Sequence, residues 1–309
     1  MDAPLDRLSA AALAGWTPVR VRETTGEIDW ALINEPFTEP FFEQTADRAM
    51  RHPFNLAFSR RTPLAALEGV RSQVPEVAPA GFVFHMSRCG STLIAQMLSR
   101  LSATIVLSEP QPLDAIAKLH ERGFDEAVLI RWLRAMLSAI AVSDRGERRV
   151  FVKFHAWHVR ELPFIARAFP GVPWIFVFRE PRAVLRSQAR NPGAEAMRFA
   201  DGAGLEYTAR VLAEFCNAAL CYAGLGRSAF VDYATLPDAV TTDVVRFFDV
   251  PVDAVDVERM REAALVDTKA NVVSSPARTP GDADDTLIER LAATWLDASY
   301  AALREAALR

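Results

Sequence analysis

From residue 81 onward, short apolar runs alternate with segments whose apolar residues recur at helical spacing. Residues 81–86 form a continuous run, not an alternation, which is typical of a strand buried on both faces. Residues 92–101 follow with large apolar side chains on one helical face. Because strands that alternate with helices pack as a parallel sheet covered on both sides, the sequence predicts a three-layer α/β fold.

The same alternation continues to the end of the chain. Further strands are predicted at 104–107, 150–152, 174–178 and 229–233. Further helices are predicted at 124–142, 158–169, 181–190, 205–223, 238–248 and 284–308. Residues 1–80 lack this order, and we expect an N-terminal extension with some helix that packs on a domain of residues 81–309. Ligands of parallel sheets bind beyond the carboxyl ends of the strands, so residues just after strands are the functional candidates.

The charge of the chain argues against a general nucleic-acid or membrane-binding surface. Its formal net charge of −4 supplies no broad positive field. No run approaches the roughly 18–20 apolar residues that cross a bilayer, and no signal-peptide pattern opens the sequence. The three cysteines, Cys89, Cys216 and Cys221, lack metal-like spacing, so we interpret them as reduced thiols in a soluble cytoplasmic protein.

The turn after the first buried strand has the composition of an anion-binding loop. Gly90 permits a tight turn, and Ser91 and Thr92 open the helix that follows. The first N–H groups of a helix have no intrahelical partner, and the helix dipole favours negative charge there. The two hydroxyls and the guanidinium of Arg88 would add donors, with Cys89 between them.

This loop has two alternative interpretations. The G-x-x-x-x-G-K-[ST] loop of nucleoside triphosphatases is not matched, because its leading glycine is absent and Ser91 stands in place of its lysine. Hydrolysis of ATP or GTP is therefore disfavoured. Taken alone, the loop is also compatible with a plain strand–turn–helix in which Ser91 and Thr92 only cap the helix.

Three segments, in this order, resemble those of sulfotransferases that use PAPS (3'-phosphoadenosine-5'-phosphosulfate). Residues 81–101 resemble the loop for the 5'-phosphosulfate, with Arg and Cys where Lys and Ser are commoner. Residues 149–188 resemble the second segment, in which one strand ends in Lys153 and the next is followed by Arg179. Residues 230–251 resemble a strand with tyrosine followed by a helix. The resemblance is nearest to bacterial and protein-tyrosine sulfotransferases.

This resemblance implies a P-loop-type domain that moves a sulfuryl group from PAPS to a hydroxyl or amine of an unidentified acceptor, leaving PAP. In-line displacement without a metal is implied, with Arg88 and Lys153 neutralising the developing charge. The resemblance also implies nucleotide contacts from two further strand ends. The implied PAPS-binding residues are Arg88, Cys89, Gly90, Ser91 and Thr92 for the 5'-phosphosulfate, Arg179 and Ser187 for the 3'-phosphate, and Tyr233 near the adenine.

The resemblance offers two candidates for the general base. Glu109 lies as far beyond the loop as the base of protein-tyrosine sulfotransferases, whereas Lys153 and His155 match the Lys-x-His of cytosolic small-molecule sulfotransferases. Either side chain can accept a proton within hydrogen-bond reach. The stretch from Lys153 to Arg179 fits the glutamate-using branch better and favours Glu109.

The acceptor itself is not encoded in a motif. We expect the extension, the helix at 124–142 and the loop at 191–204 to shape a pocket for a small molecule or peptide. The segment 269–278 is compatible with a lid over PAPS and with a solvated loop. Alternatives to the enzyme are an inactive PAP-binding protein and a nucleotide kinase of related fold. A binder would not need Lys153 or a general base, so the sequence favours the enzyme.

Overall fold

The structure, a computed structural model, describes residues 10–142, 146–190, 204–265 and 282–308. The segment 269–278 lies outside these ranges, as does all but the last residue of the loop predicted at 191–204. None of the helices in the described ranges has both the length and the apolar character needed to cross a membrane.

Strands and helices alternate through most of the described chain. The strands are β1 (Thr17–Arg22), β2 (Glu27–Ala31), β3 (Arg60–Pro63), β4 (Gly81–His85), β5 (Thr104–Ser108), β6 (Arg149–Lys153), β7 (Trp174–Phe178) and β8 (Ser228–Asp232). The α-helices are α1 (Phe42–Arg51), α2 (Pro53–Ala57), α3 (Leu67–Arg71), α4 (Ser91–Leu98), α5 (Gln111–Glu121), α6 (Glu126–Ala141), α7 (Leu162–Ala168), α8 (Pro181–Arg190), α9 (Leu205–Cys221), α10 (Val245–Phe247), α11 (Ala254–Leu265), α12 (Asp282–Leu291) and α13 (Asp297–Glu305). Shorter turns are the 3₁₀ segments Ala10–Leu13, Leu64–Ala66, Ala156–Glu161 and Tyr233–Thr235 and the π segments Val240–Val244 and Ala292–Leu296.

A parallel sheet forms the centre of the domain. Its five strands in the described residues lie in the order β5-β6-β4-β7-β8. Every residue of β4 and β7 is buried, as expected for strands covered on both faces. Helix α4 packs against β5 and α11, and α9 packs against α8 and α13. The predicted α/β sheet flanked by helices is confirmed.

The N-terminal region contains a second sheet that the sequence did not reveal. Strands β1, β2 and β3 pair in an antiparallel sheet. Its polar strand residues have partners inside the fold: the buried carboxylate of Asp29 accepts from Arg22 at 2.8 Å and from Arg61 at 3.0 Å. The sheet contacts α5, where the side-chain amide of Gln111 accepts from the N–H of Val21 and donates to its carbonyl.

Several predicted helices differ in their ends. The helix predicted at 158–169 begins as a 3₁₀ turn, and the one predicted at 238–248 begins as a π segment. The sequence analysis also missed α5, whose first turn contains Pro112 and follows Pro110. Both prolines lie at the start of the helix, where the missing N–H costs no hydrogen bond.

The start of β4 is packed so closely that only glycine fits. A Cβ atom on Gly81 would overlap the ring of Phe248, which is buried and packs edge-on against Phe151. We expect Gly81→Ala to lower the free energy of unfolding by about 1–3 kcal/mol, because the ring has no free space to move into. Urea denaturation measures this change. The matched control is Gly224→Ala, whose Cβ would meet nothing within 4 Å, and equal losses in both variants would contradict the prediction.

Candidate functional site

The loop between β4 and α4 contains three residues with a left-handed backbone conformation. Ser87, Arg88 and Gly90 have positive φ values of 71°, 52° and 85°. Backbone turns of this kind direct successive N–H groups into one concavity. Helix α4 begins directly after Gly90, so Ser91 and Thr92 add the N–H groups of its first turn. These backbone features are compatible with the predicted anion loop, whose binding role stays a prediction.

The backbone of Cys89 is part of this loop, and its side chain packs inside the fold. The thiol is buried and donates to the carbonyl of Val177 in β7 at 3.0 Å. Burial raises the pKa of Cys89 to about 11, so the thiol stays protonated at neutral pH. Its role is to hold the loop against the neighbouring strand.

The ends of β7 and β8 meet the same loop. Arg179 follows β7, and its guanidinium carbon lies 4.1 Å from the centre of the Tyr233 ring after β8. Nη1 of Arg179 also donates to the carbonyl of Arg88 at 3.4 Å. Tyr233 covers Gly90 so closely that a Cβ there would come 2.7 Å from its ring. Arg179, Tyr233 and the loop therefore form one surface.

Helix α8 lies beside this surface, and its polar side chains have two different sets of partners. Gln188 donates to the hydroxyl of Ser87 in the loop at 3.2 Å, and the half-buried Ser187 precedes it. Arg182 instead pairs with Asp297 at 2.7 Å, in a network that ties α8 to the C-terminal helices. Arg186 belongs to the same network and likewise pairs with acidic residues there.

A second group of residues gathers at the ends of β5 and β6. These strands pair so that Ser108 lies opposite Lys153, the last residue of β6. Glu109 follows Ser108 with a φ of 55°, and its N–H donates to the carbonyl of Lys153 at 2.7 Å. The ammonium of Lys153 also donates to Oε1 of Glu109. Lys153 is only 1% exposed, so the pair is largely removed from water.

The two candidate bases, Glu109 and His155, contact each other, and a second histidine also contacts Glu109. Nδ1 of His155 lies 3.2 Å from Oε2 of Glu109, and Nε2 of His85 lies 3.5 Å from Oε1. Burial by itself raises the pKa of Glu109, but Lys153 and His155 outweigh that effect and hold it well below its usual range. We name Glu109, Lys153, His155 and His85 the carboxylate cluster.

The sequence analysis missed two residues here, one in the carboxylate cluster and one beside it. His85 ends an otherwise apolar run, and this isolated polar residue was a usable signal. Phe41 comes from the N-terminal region, and its ring centre lies 5.2 Å from Nζ of Lys153. In the sequence, the only signal for Phe41 is the aromatic content of its segment. Among the described residues, no group of three or more His, Cys, Asp or Glu side chains is arranged to hold a metal ion.

Comparison with known proteins identifies the fold. No protein-family model matches the chain, and no curated protein matches it. The structure is similar to a sulfotransferase from Mycobacterium avium, with 13% identity, 86% of each chain covered and a TM-score of 0.50. Other similar structures are sulfotransferases from Alicyclobacillus acidocaldarius (13% identity, 74% of this chain and 96% of that one, TM-score 0.47) and Mycobacterium tuberculosis (15% identity, 73% and 78%, TM-score 0.45). The first likeness confirms a sulfotransferase fold.

The buried pair of Lys153 and Glu109 should be visible in stability. We expect Glu109→Gln to lower the free energy of unfolding by about 3 kcal/mol at pH 7, because it leaves a buried ammonium without its counter-charge. Adding Lys153→Met should restore much of that loss, since the ammonium is then removed as well. Urea denaturation of the two single variants and the double variant measures the coupling. Strictly additive losses would contradict it.

The same pair predicts the direction of a pH dependence. The pKa of Glu109 is lower in the folded than in the unfolded protein, so its stabilisation is complete above the unfolded pKa of about 4.3 and is lost as the pH falls further. The stability difference between the wild type and Glu109→Gln should therefore shrink below about pH 4. A difference that grows in acid would show that the pKa of Glu109 is raised in the folded protein.

Proposed function

We propose that this protein transfers the sulfuryl group of PAPS to a hydroxyl or amine group of a small-molecule or peptide acceptor. The main support for the proposal is that the carboxyl ends of the five parallel strands β4 to β8 lie at one edge of the sheet. The loop, Arg179 and Tyr233 have the chemistry to bind a phosphorylated nucleotide. The carboxylate cluster has the chemistry to accept a proton and to stabilise developing charge beside it. The sulfotransferase fold agrees with this assignment.

The residues at the loop fit the chemistry of PAPS. Main-chain N–H groups and the hydroxyls of Ser91 and Thr92 would receive the 5'-phosphosulfate, together with Arg88. Arg179 and Ser187 would hold the 3'-phosphate, for which the planar guanidinium offers paired donors. Tyr233 is 37% exposed, and its ring would lie near the adenine.

The transfer step needs a nucleophile, a leaving group and a proton acceptor. The acceptor oxygen or nitrogen attacks sulfur in line, the sulfur–oxygen bond to the 5'-phosphate breaks, and PAP leaves with the bonding electrons. Lys153 and Arg88 would stabilise the negative charge that develops on the bridging oxygen. The acceptor's proton passes to a general base in the carboxylate cluster.

We assign the base to Glu109, with His155 beside it. In the free protein Glu109 is a weak base, because Lys153 holds its pKa low. When the sulfonate engages Lys153, less of that positive charge acts on the carboxylate, and its proton affinity rises toward the range that a base needs. His155 donates to the other carboxylate oxygen and would orient it.

PAP binding tests the nucleotide half of the proposal. We expect PAP without Mg²⁺ to raise the thermal stability, by about 2.7 kcal/mol at one hundred times its Kd, and ATP with Mg²⁺ to do little. Arg179→Ala should remove most of this increment, because a bidentate phosphate donor is lost. Arg182→Ala is the matched control, since that arginine pairs with Asp297. Equal loss in both variants would sink the assignment of Arg179.

Turnover of sulfur-labelled PAPS tests the catalytic half. With a panel of phenols, sugars, amines and tyrosine peptides, we expect labelled product from the wild type. Glu109→Ala should lower the single-turnover rate of the folded protein at least about 100-fold while PAP binding is kept, because the proton acceptor is lost and the proposed nucleotide contacts lie on other strands. Loss of turnover with His155→Ala but not with Glu109→Ala would move the base to His155. PAP binding without transfer to any acceptor would favour a nucleotide-binding protein.

A further inference from the structure

We propose that His85 is a positioning residue that holds the anion loop and the carboxylate of Glu109 in fixed relation. This inference rests on the proposed function. His85 ends β4, the central strand, which lies between β6 and β7. Its side chain is only 4% exposed, so the ring cannot itself reach an acceptor in the cleft. The ring instead lies between the two parts of the site.

Each ring nitrogen of His85 serves a different part of the site. Nδ1 accepts a hydrogen bond from the N–H of Ser87 in the anion loop at 3.0 Å. Nε2 lies 3.1 Å from the carbonyl oxygen of Phe154, and a carbonyl can only accept. Nε2 therefore carries the proton, and the neutral ring with that tautomer satisfies both contacts. The same N–H faces Oε1 of Glu109 at 3.5 Å.

These contacts join three segments that the proposed reaction must keep in register. Ser87 begins the loop with a positive φ of 71°. This backbone conformation is unfavourable for a residue with a side chain, so surrounding contacts must hold it in place. Phe154 lies between Lys153 and His155, so its carbonyl fixes the turn that carries both. Because displacement by about 1 Å can cost roughly 100-fold in rate, one buried ring in contact with all three segments has a large effect on catalysis.

Glu109 gives a readout that a purely structural role would not move. The charged and titratable groups that face its carboxylate are Lys153 from β6, His155 after β6 and His85 from β4. The contact with His85 contributes to lowering the pKa of Glu109. Loss of the Nε2 donor should therefore raise that pKa, even if the fold and the pairing with Lys153 remain.

Three variants separate the two ends of the ring. His85→Asn keeps an acceptor close to Nδ1, His85→Gln keeps a donor close to Nε2, and His85→Phe keeps the ring shape with neither. We expect His85→Phe to lower the single-turnover rate about 100-fold and to weaken PAP binding. His85→Asn should keep PAP binding but lose rate, whereas His85→Gln should keep more of the rate at the cost of PAP affinity. The acidic limb of the pH–rate profile should move to higher pH in His85→Phe.

The outcomes separate this inference from the proposed function. Wild-type protein that neither binds PAP nor transfers sulfur would sink the function. Wild-type transfer that His85→Phe leaves unchanged, at equal folded fraction, would sink the role of His85 alone. NMR of the ring nitrogens and of the Glu109 carboxyl needs no activity: a proton on Nδ1, or an unchanged pKa of Glu109 in His85→Phe, would also overturn the proposal.

Discussion

The buried ammonium of Lys153 is the interaction on which the rest of the site depends. A cation that is 1% exposed needs a counter-charge close by, because the cost of leaving water is otherwise not offset. Glu109 supplies it from the end of the neighbouring strand β5. Glu109 adopts a left-handed backbone conformation with its N–H on the carbonyl of Lys153. Such local strain is held in place by surrounding contacts and is found most often at functional sites.

The strand order divides the site into two halves that meet at β4. Strands β5 and β6 carry Glu109 and Lys153, whereas β7 and β8 are followed by Arg179 and Tyr233. The central strand carries His85 and is followed by the anion loop, so its end lies between the two halves. In a parallel sheet all carboxyl ends lie at one edge, and this is why residues from five separate strands can meet.

The sequence predicted what depends on local pattern. Apolar runs identified the strands of the central sheet, and Gly90 with the two hydroxyl residues after it marked the turn from β4 into α4. The contact between Glu109 and His155 could not be predicted, because it depends on β5 and β6 being neighbours, and strand order is not a local property. The N-terminal sheet was missed for the same reason: β3 joins β2 across more than 25 residues, and its strands mix charged and apolar side chains.

The N-terminal region contacts the carboxylate cluster and the short stretch that follows it. Glu109 bears the carboxylate, and two residues later Gln111 makes paired hydrogen bonds to the backbone of Val21 in the N-terminal sheet. The same region places Phe41 over Lys153. The N-terminal region is therefore tied to the stretch that also carries the proposed base, whereas Arg179 and Tyr233 follow other strands. We therefore expect changes in the extension to affect the acceptor side of the proposed site more than its nucleotide side.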